Sequence, residues 1–208
     1  SAELAALPFH GVATGMLLGD IPGIVARTGY TGEDGFELFV DDDNAVRLWD
    51  GLLELGRAAG LKPAGLGARD SLRFEACLPL YGHEIADDIN PYEAKLGWAV
   101  KLDKGGDFVG RETLVAIKQS GAARKLAGFE LIDRGIARGG YEIRDASGAR
   151  IGEVSTGMPA PSLGKNLGLG LLPAALATEG SEISVVVRDR PVRARVVKTP
   201  FYKPRYKK

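Results

Sequence analysis

Arg27-Thr28-Gly29-Tyr30-Thr31-Gly32-Glu33-Asp34-Gly35-Phe36-Glu37 sits between the apolar runs Ile24-Val25-Ala26 and Phe36 to Val40. Glycine permits positive φ and lets another group come close to the backbone. The stretch therefore predicts a strand, a glycine-rich turn and a second strand. A carboxylate and an aromatic ring held beside such a turn suit a flat, polar heterocycle. The same residues also fit a plain hairpin whose acids face water.

Working outward, Asp41-Asp42-Asp43-Asn44 ends the second strand and caps a helix. An Asp at the N-cap accepts hydrogen bonds from free amides and complements the helix dipole. The predicted helix runs from Ala45 to Ala59, with Val46, Trp49, Leu52, Leu53 and Leu55 as its apolar stripe and Gly60 at its end. A second helix is predicted from Gly67 to Cys77. It puts Arg69 and Arg73 on one face, where surface pairing with Asp70 or Glu75 is the plain expectation. Leu96 to Val100 has strand character, and composition alone favours a core position for Trp98. A third helix runs from Gly110 or Arg111 to Gln119 and stops at Gly121.

The texture changes from Lys125. Leu126–Leu131, Tyr141–Arg144, Arg150–Ser155, Leu167–Leu171, Ile183–Val187 and Val192–Val197 are short strand-like runs. Turns such as Ala146-Ser147-Gly148 and Glu179-Gly180 separate them, which favours a small antiparallel sandwich or barrel. The tail from Lys198 to Lys208 is basic and carries no acid.

With 208 residues, 27 Lys plus Arg and 27 Asp plus Glu, the chain is formally neutral. That favours neither nucleic acid nor an anionic membrane. One cysteine, Cys77, excludes an internal disulfide and is expected in core packing. One cysteine and two histidines do not make a typical zinc site, so no metal is expected. Gly164-Lys165-Asn166 lacks the spacing and the hydroxyl residue of a phosphate loop. No apolar run has membrane-spanning length and no signal peptide is visible, so the expectation is a cytoplasmic protein, or a mitochondrial-matrix one if eukaryotic.

Gly29-Tyr30-Thr31-Gly32-Glu33-Asp34-Gly35-Phe36-Glu37 closely resembles the signature of the glycine cleavage T-protein family, the folate-dependent aminomethyltransferases. Gly65-Leu66-Gly67-Ala68-Arg69-Asp70-Ser71-Leu72-Arg73-Phe74-Glu75-Ala76 resembles that family's second signature. Leu80-Tyr81-Gly82-His83-Glu84-Ile85, Asn90-Pro91-Tyr92-Glu93-Ala94, Ile151 to Gly157 and Pro161 to Asn166 follow in family order. The resemblance implies an α+β chain: a partial T-protein-like folate-binding fold over 1–122, then a β-rich barrel or sandwich domain over 123–208.

It also implies a reaction. A one-carbon unit passes from the aminomethyl-lipoyl arm of the glycine cleavage H-protein to tetrahydrofolate, the co-substrate, and ammonia leaves. Residue by residue, Glu37 matches the pterin-gripping glutamate and Tyr30 a tyrosine of the same pocket. Arg69 matches the folate-binding arginine, Trp98 an aromatic near the folate and Tyr206 a tyrosine near the carboxy terminus. Arg138, in Ile136-Ala137-Arg138-Gly139, matches an arginine near the lipoyl-arm entrance. The family's catalytic aspartate maps before Ser1, so no catalytic residue is assigned; Asp34 and Asp70 belong to other motifs. The chain thus resembles the carboxy-terminal part of a T-protein, expected to need an amino-terminal portion or subunit besides lipoylated H-protein. Strands at 23–40 are expected to lack sheet neighbours, with aggregation as the consequence. Two alternatives stay open: a non-catalytic folate-binding module, and the T-protein-like domain of a dimethylglycine or sarcosine oxidoreductase.

Overall fold

A computed structural model describes residues 2–206, so Lys207 and Lys208 of the basic tail lie outside the described residues. The chain divides into two compact units, 1–76 with 203–208, and 77–202.

The first unit opens with α1 (Ala2–Ala6) and β1 (Val12–Leu17). β2 (Ile21–Ala26) and β3 (Glu37–Phe39) follow. They form one antiparallel sheet in the order β1-β2-β3. The expectation for 23–40 is corrected here: β2 is paired on both sides, because Val12 to Leu17 supplies an unpredicted strand. β1 and β3 are the edges.

α2 (Asp42–Gly56) begins where the acid run predicts, but Asp41 makes no side-chain cap. Asp42 and Asp43 in the first turn still complement the dipole. Its predicted stripe is largely uncovered. Leu48 is buried, whereas Val46, Trp49 and Leu55 are exposed. α3 (Leu66–Glu75) stops two residues earlier than expected. Cys77 lies beyond it at φ 53 and is only partly buried, so it is neither helical nor core. Arg73 pairs with Asp70 at 2.7 Å but is 1% exposed, which overturns a surface role.

The second unit begins with the irregular segment 77–110. Gly97–Ala99 forms one tight helical turn rather than a strand, and Trp98 is 74% exposed rather than core. α4 (Arg111–Ser120) matches its prediction and ends on Gly121 at φ 83. The remainder is a closed antiparallel barrel of β4 (Arg124–Leu131), β5 (Glu142–Arg144), β6 (Arg150–Ala160), β7 (Lys165–Pro173), β8 (Glu182–Val187) and β9 (Arg190–Val197). Its order is β4-β7-β6-β5-β8-β9. Alternation along the strands sends Phe129, Ile143, Val154, Leu172, Val185 and Ala194 inward as one buried cluster. Closure removes the unpaired edges. Gly168 faces Phe129 across the β4–β7 pair, and a Cβ there would meet the ring at 2.3 Å.

Candidate functional site

In the first unit the turn joining β2 and β3 is fastened from inside. Arg27 donates two parallel bonds to Asp34, at 2.9 and 2.8 Å, and a third to the Leu7 carbonyl at 2.6 Å. Its own N–H reaches the Gly11 carbonyl at 2.9 Å. A bidentate guanidinium–carboxylate pair fixes orientation as well as distance. The hydrogen bond to Asp34 holds the Arg27 pKa above its ordinary value. Asp34 is thereby a lock on the turn. Gly32, at φ 78, lets the chain bend where a side chain would be strained.

On this frame the residues singled out by sequence fall into place one by one. Thr28 donates its hydroxyl to the Glu37 carboxylate, which is otherwise exposed. Arg69, on α3, lays its guanidinium 4.6 Å from the Tyr30 ring centroid, within cation–π range. The tail is tied to the same turn by the Arg205 N–H, which donates to the Gly32 carbonyl at 2.8 Å. Tyr206 then stacks on Phe9 with centroids 4.6 Å apart. Burial, and secondarily the Glu33 charge, pushes the Tyr206 hydroxyl above its ordinary pKa.

Trp98 and Arg138 belong to the second unit. Trp98 lines a small cleft of about 210 Å³, together with Cys77, Lys95, Leu126 and Thr199. Lys95 donates to the Thr199 hydroxyl at 3.1 Å. Arg138 is exposed and lines a different cleft, at the barrel, of about 780 Å³.

One polar cluster carries no role in the sequence reading. Glu84 is 1% exposed and accepts from both Ser155 (2.7 Å) and Thr156 (2.6 Å), and from the Leu80 N–H at 3.2 Å. Consecutive strand residues normally point to opposite faces. Here the β6–β7 register shifts between Val154 and Thr156, leaving Ser155 as the extra residue of a bulge. The bulge turns two neighbouring hydroxyls onto one carboxylate oxygen. His83 completes the cluster: its Nδ1 lies 3.0 Å from the Ser155 carbonyl, so Nδ1 is the donor. The segments at 80–85 and 151–157 carry the signal for this cluster. Only the bulge tells which side chains meet.

Among the described residues no group of His, Cys, Asp and Glu could hold a metal ion, and no helix is long and apolar enough to cross a membrane.

Comparison with known proteins extends over both units. The GCVT N-terminal domain matches residues 1–104, and the glycine cleavage T-protein C-terminal barrel domain matches 124–203. An aminomethyltransferase of Herpetosiphon aurantiacus is 56% identical over 207 residues, 100% of this chain and 56% of the relative. One from Symbiobacterium thermophilum is 52% identical over 201 residues, 96% of this chain and 53% of the relative. The crystal structure of glycine cleavage system aminomethyltransferase T from Bartonella henselae matches with a TM-score of 0.83 at 36% identity. That match covers 89% of this chain and 51% of the other. The chain spans about half the length of the curated relatives it matches.

Proposed function

The chain belongs to the glycine cleavage T-protein family, and from that premise we propose that it carries the folate-holding residues of a tetrahydrofolate-dependent aminomethyltransferase. The reaction moves the one-carbon unit from the aminomethyl-lipoyl arm of H-protein to tetrahydrofolate and releases ammonia. The observation that carries this reading is the Arg69 guanidinium over the Tyr30 ring, on the hairpin that also presents Glu37.

These donors and acceptors fit a reduced pterin. The exposed Glu37 carboxylate has Thr28 as its one side-chain partner among the described residues. It can accept two parallel N–H bonds from an aminopyrimidine edge. Tyr30 offers an aromatic wall, stiffened by the cation above it. Arg69 can turn its free N–H groups to a ring carbonyl or to the anionic glutamyl end. By the family resemblance, Trp98 is assigned as an aromatic near the folate and Tyr206 as a further one. Arg138 is assigned to the lipoyl-arm side.

Tetrahydrofolate supplies the attacking nitrogen. The residues of this chain bind and orient it, and orientation by itself is a large part of such catalysis. No residue here is given the role of the family aspartate. Functionally, 1–122 holds the folate and 123–208 is the barrel domain. Lipoylated H-protein and the remaining portion of the enzyme are the partners, in a cytoplasmic setting.

Titration of the chain with tetrahydrofolate, followed by thermal shift, tests the reading. A stabilisation lost in Glu37→Ala supports it. Equal shifts in the wild type and the variant overturn Glu37 as the grip. Ammonia release with lipoylated H-protein, measured with and without the remaining portion of a relative, separates an enzyme from a binder. Turnover by the 208-residue chain alone contradicts the need for that portion.

A further inference from the structure

The barrel unit carries ten arginines; Arg111 donates to the Leu102 carbonyl, and the other nine divide into two groups. Arg124, Arg144, Arg150, Arg193 and Arg195 each pair with a carboxylate. Arg134, Arg138, Arg188 and Arg190 have no ion pair among the described residues, and all four line the same cleft of about 780 Å³. No acid lines it. Asp133 is engaged with Arg193 at 2.8 Å and Glu130 with Lys165 at 2.7 Å, while Asp189, between Arg188 and Arg190 in sequence, does not line the cleft. Arginine stays charged at any working pH, so gathering four around a cleft with no acid in its lining favours the entry of an anion.

The backbone adds an independent observation. Arg188 and Asp189 form the two-residue turn between β8 and β9, at φ 49 and 62. Such turns favour glycine or asparagine, because a larger side chain is strained at positive φ. An arginine kept in a strained position at the rim of a cation-lined cleft is better suited to a ligand than to the fold. The rest of the lining includes the Tyr141 ring and Ile136, which offer an apolar floor.

We propose that this cleft is a binding site for a small polyanion, a molecule with two or more adjacent phosphates or carboxylates on an apolar or ring-bearing body. Guanidinium forks bind both groups in paired N–H contacts. The site rests on the barrel alone and does not depend on the folate reading; the lipoyl-side assignment of Arg138 asks for one cation, and the cleft supplies three more.

Isothermal titration of the full chain with ADP, pyrophosphate and citrate provides the test. Saturable one-site binding that weakens as salt rises is expected. ADP binding more tightly than pyrophosphate assigns a role to the apolar floor. Preference for pyrophosphate over citrate, or the reverse, distinguishes phosphate from carboxylate ligands. The Arg188→Asn, Arg190→Gln double variant should lose affinity by about tenfold or more. Arg188→Asn alone should raise the melting temperature while weakening binding, because it relieves the turn and removes a cation. Arg134→Gln serves if the double variant fails to fold. Absence of saturable binding by all three anions overturns the proposal, as does affinity unchanged in the variants. Binding of an acidic polyglutamate peptide without any of the three small anions would assign the surface to a protein partner and equally overturn it.

Discussion

The barrel and the β1-β2-β3 sheet are built from similar strands, yet they treat their apolar side chains in opposite ways. The barrel closes on itself, and Phe129, Ile143 and Val185 are fully buried inside it. The sheet has two open edges. On it and on the adjoining α2, Val12 (63%), Met16 (66%), Phe39 (54%), Val46 (71%) and Leu55 (72%) stand exposed. A closed sheet satisfies its own backbone and fills its own interior, so its alternating pattern suffices. An open three-stranded sheet satisfies only its central strand, and its amphipathic pattern names a face without supplying what covers it.

The comparison breaks first at the barrel core. Phe129→Ala should cost about 3–5 kcal/mol, the range for emptying a well-packed aromatic site, read from urea unfolding. Gly168→Val should destabilise as well, since even its Cβ would run into the Phe129 ring. A smaller effect is expected at the bulge. Glu84→Ala removes the acceptor of the Thr156 hydroxyl and of the Leu80 N–H, leaves Ser155 only the Leu169 carbonyl at 3.2 Å, and should cost about 1–3 kcal/mol. Glu84→Gln, which keeps an acceptor, should cost less.

The pH dependence sharpens the picture of how the segment 88–93 is fastened to β4. Arg124 donates to Glu93 at 2.9 Å, and with the Asn90 N–H it holds the Glu93 carboxyl below its ordinary value. A depressed folded-state pKa means this contribution is complete above the ordinary carboxylate pKa. It is lost as pH falls through the lower, folded value. Melting temperature against pH should show an acid limb that Glu93→Gln flattens.

The smallest effect belongs to the open region. Val46→Lys and Leu55→Glu on α2 should change stability by less than about 0.5 kcal/mol, because nothing covers either side chain. The same substitutions should reduce self-association in sedimentation experiments. A large loss of stability would show that α2 is packed more tightly than its exposure indicates.

Legibility followed the same division. The barrel strands were visible as short apolar runs between turns, although β6 and β7 extend further than the runs do. α4 and the hairpin were visible too, because Gly121 and the glycine-rich turn mark their ends. β1 was not, since Val12-Ala13-Thr14-Gly15-Met16-Leu17 alternates poorly and becomes a strand only by pairing with β2. Leu96 to Val100 has apolar residues that suit a strand, whereas local bonds such as Val100 N–H to the Gly97 carbonyl close a turn.

By itself the sequence determined which residue types are available: the hairpin with Tyr30 and Glu37, the Arg69 helix, the barrel strands and the family to which they belong. Those features are local, set by glycine positions, alternation and helical period. The tertiary structure alone decided which of them meet. It set Arg69 over Tyr30, drew the tail to Gly32, aimed Ser155 and Thr156 at Glu84, and gathered four unpaired arginines around one cleft. Each of these joins residues far apart in the chain, through strand register, a bulge or a turn. A local pattern carries no information about register until the partner strand is in place.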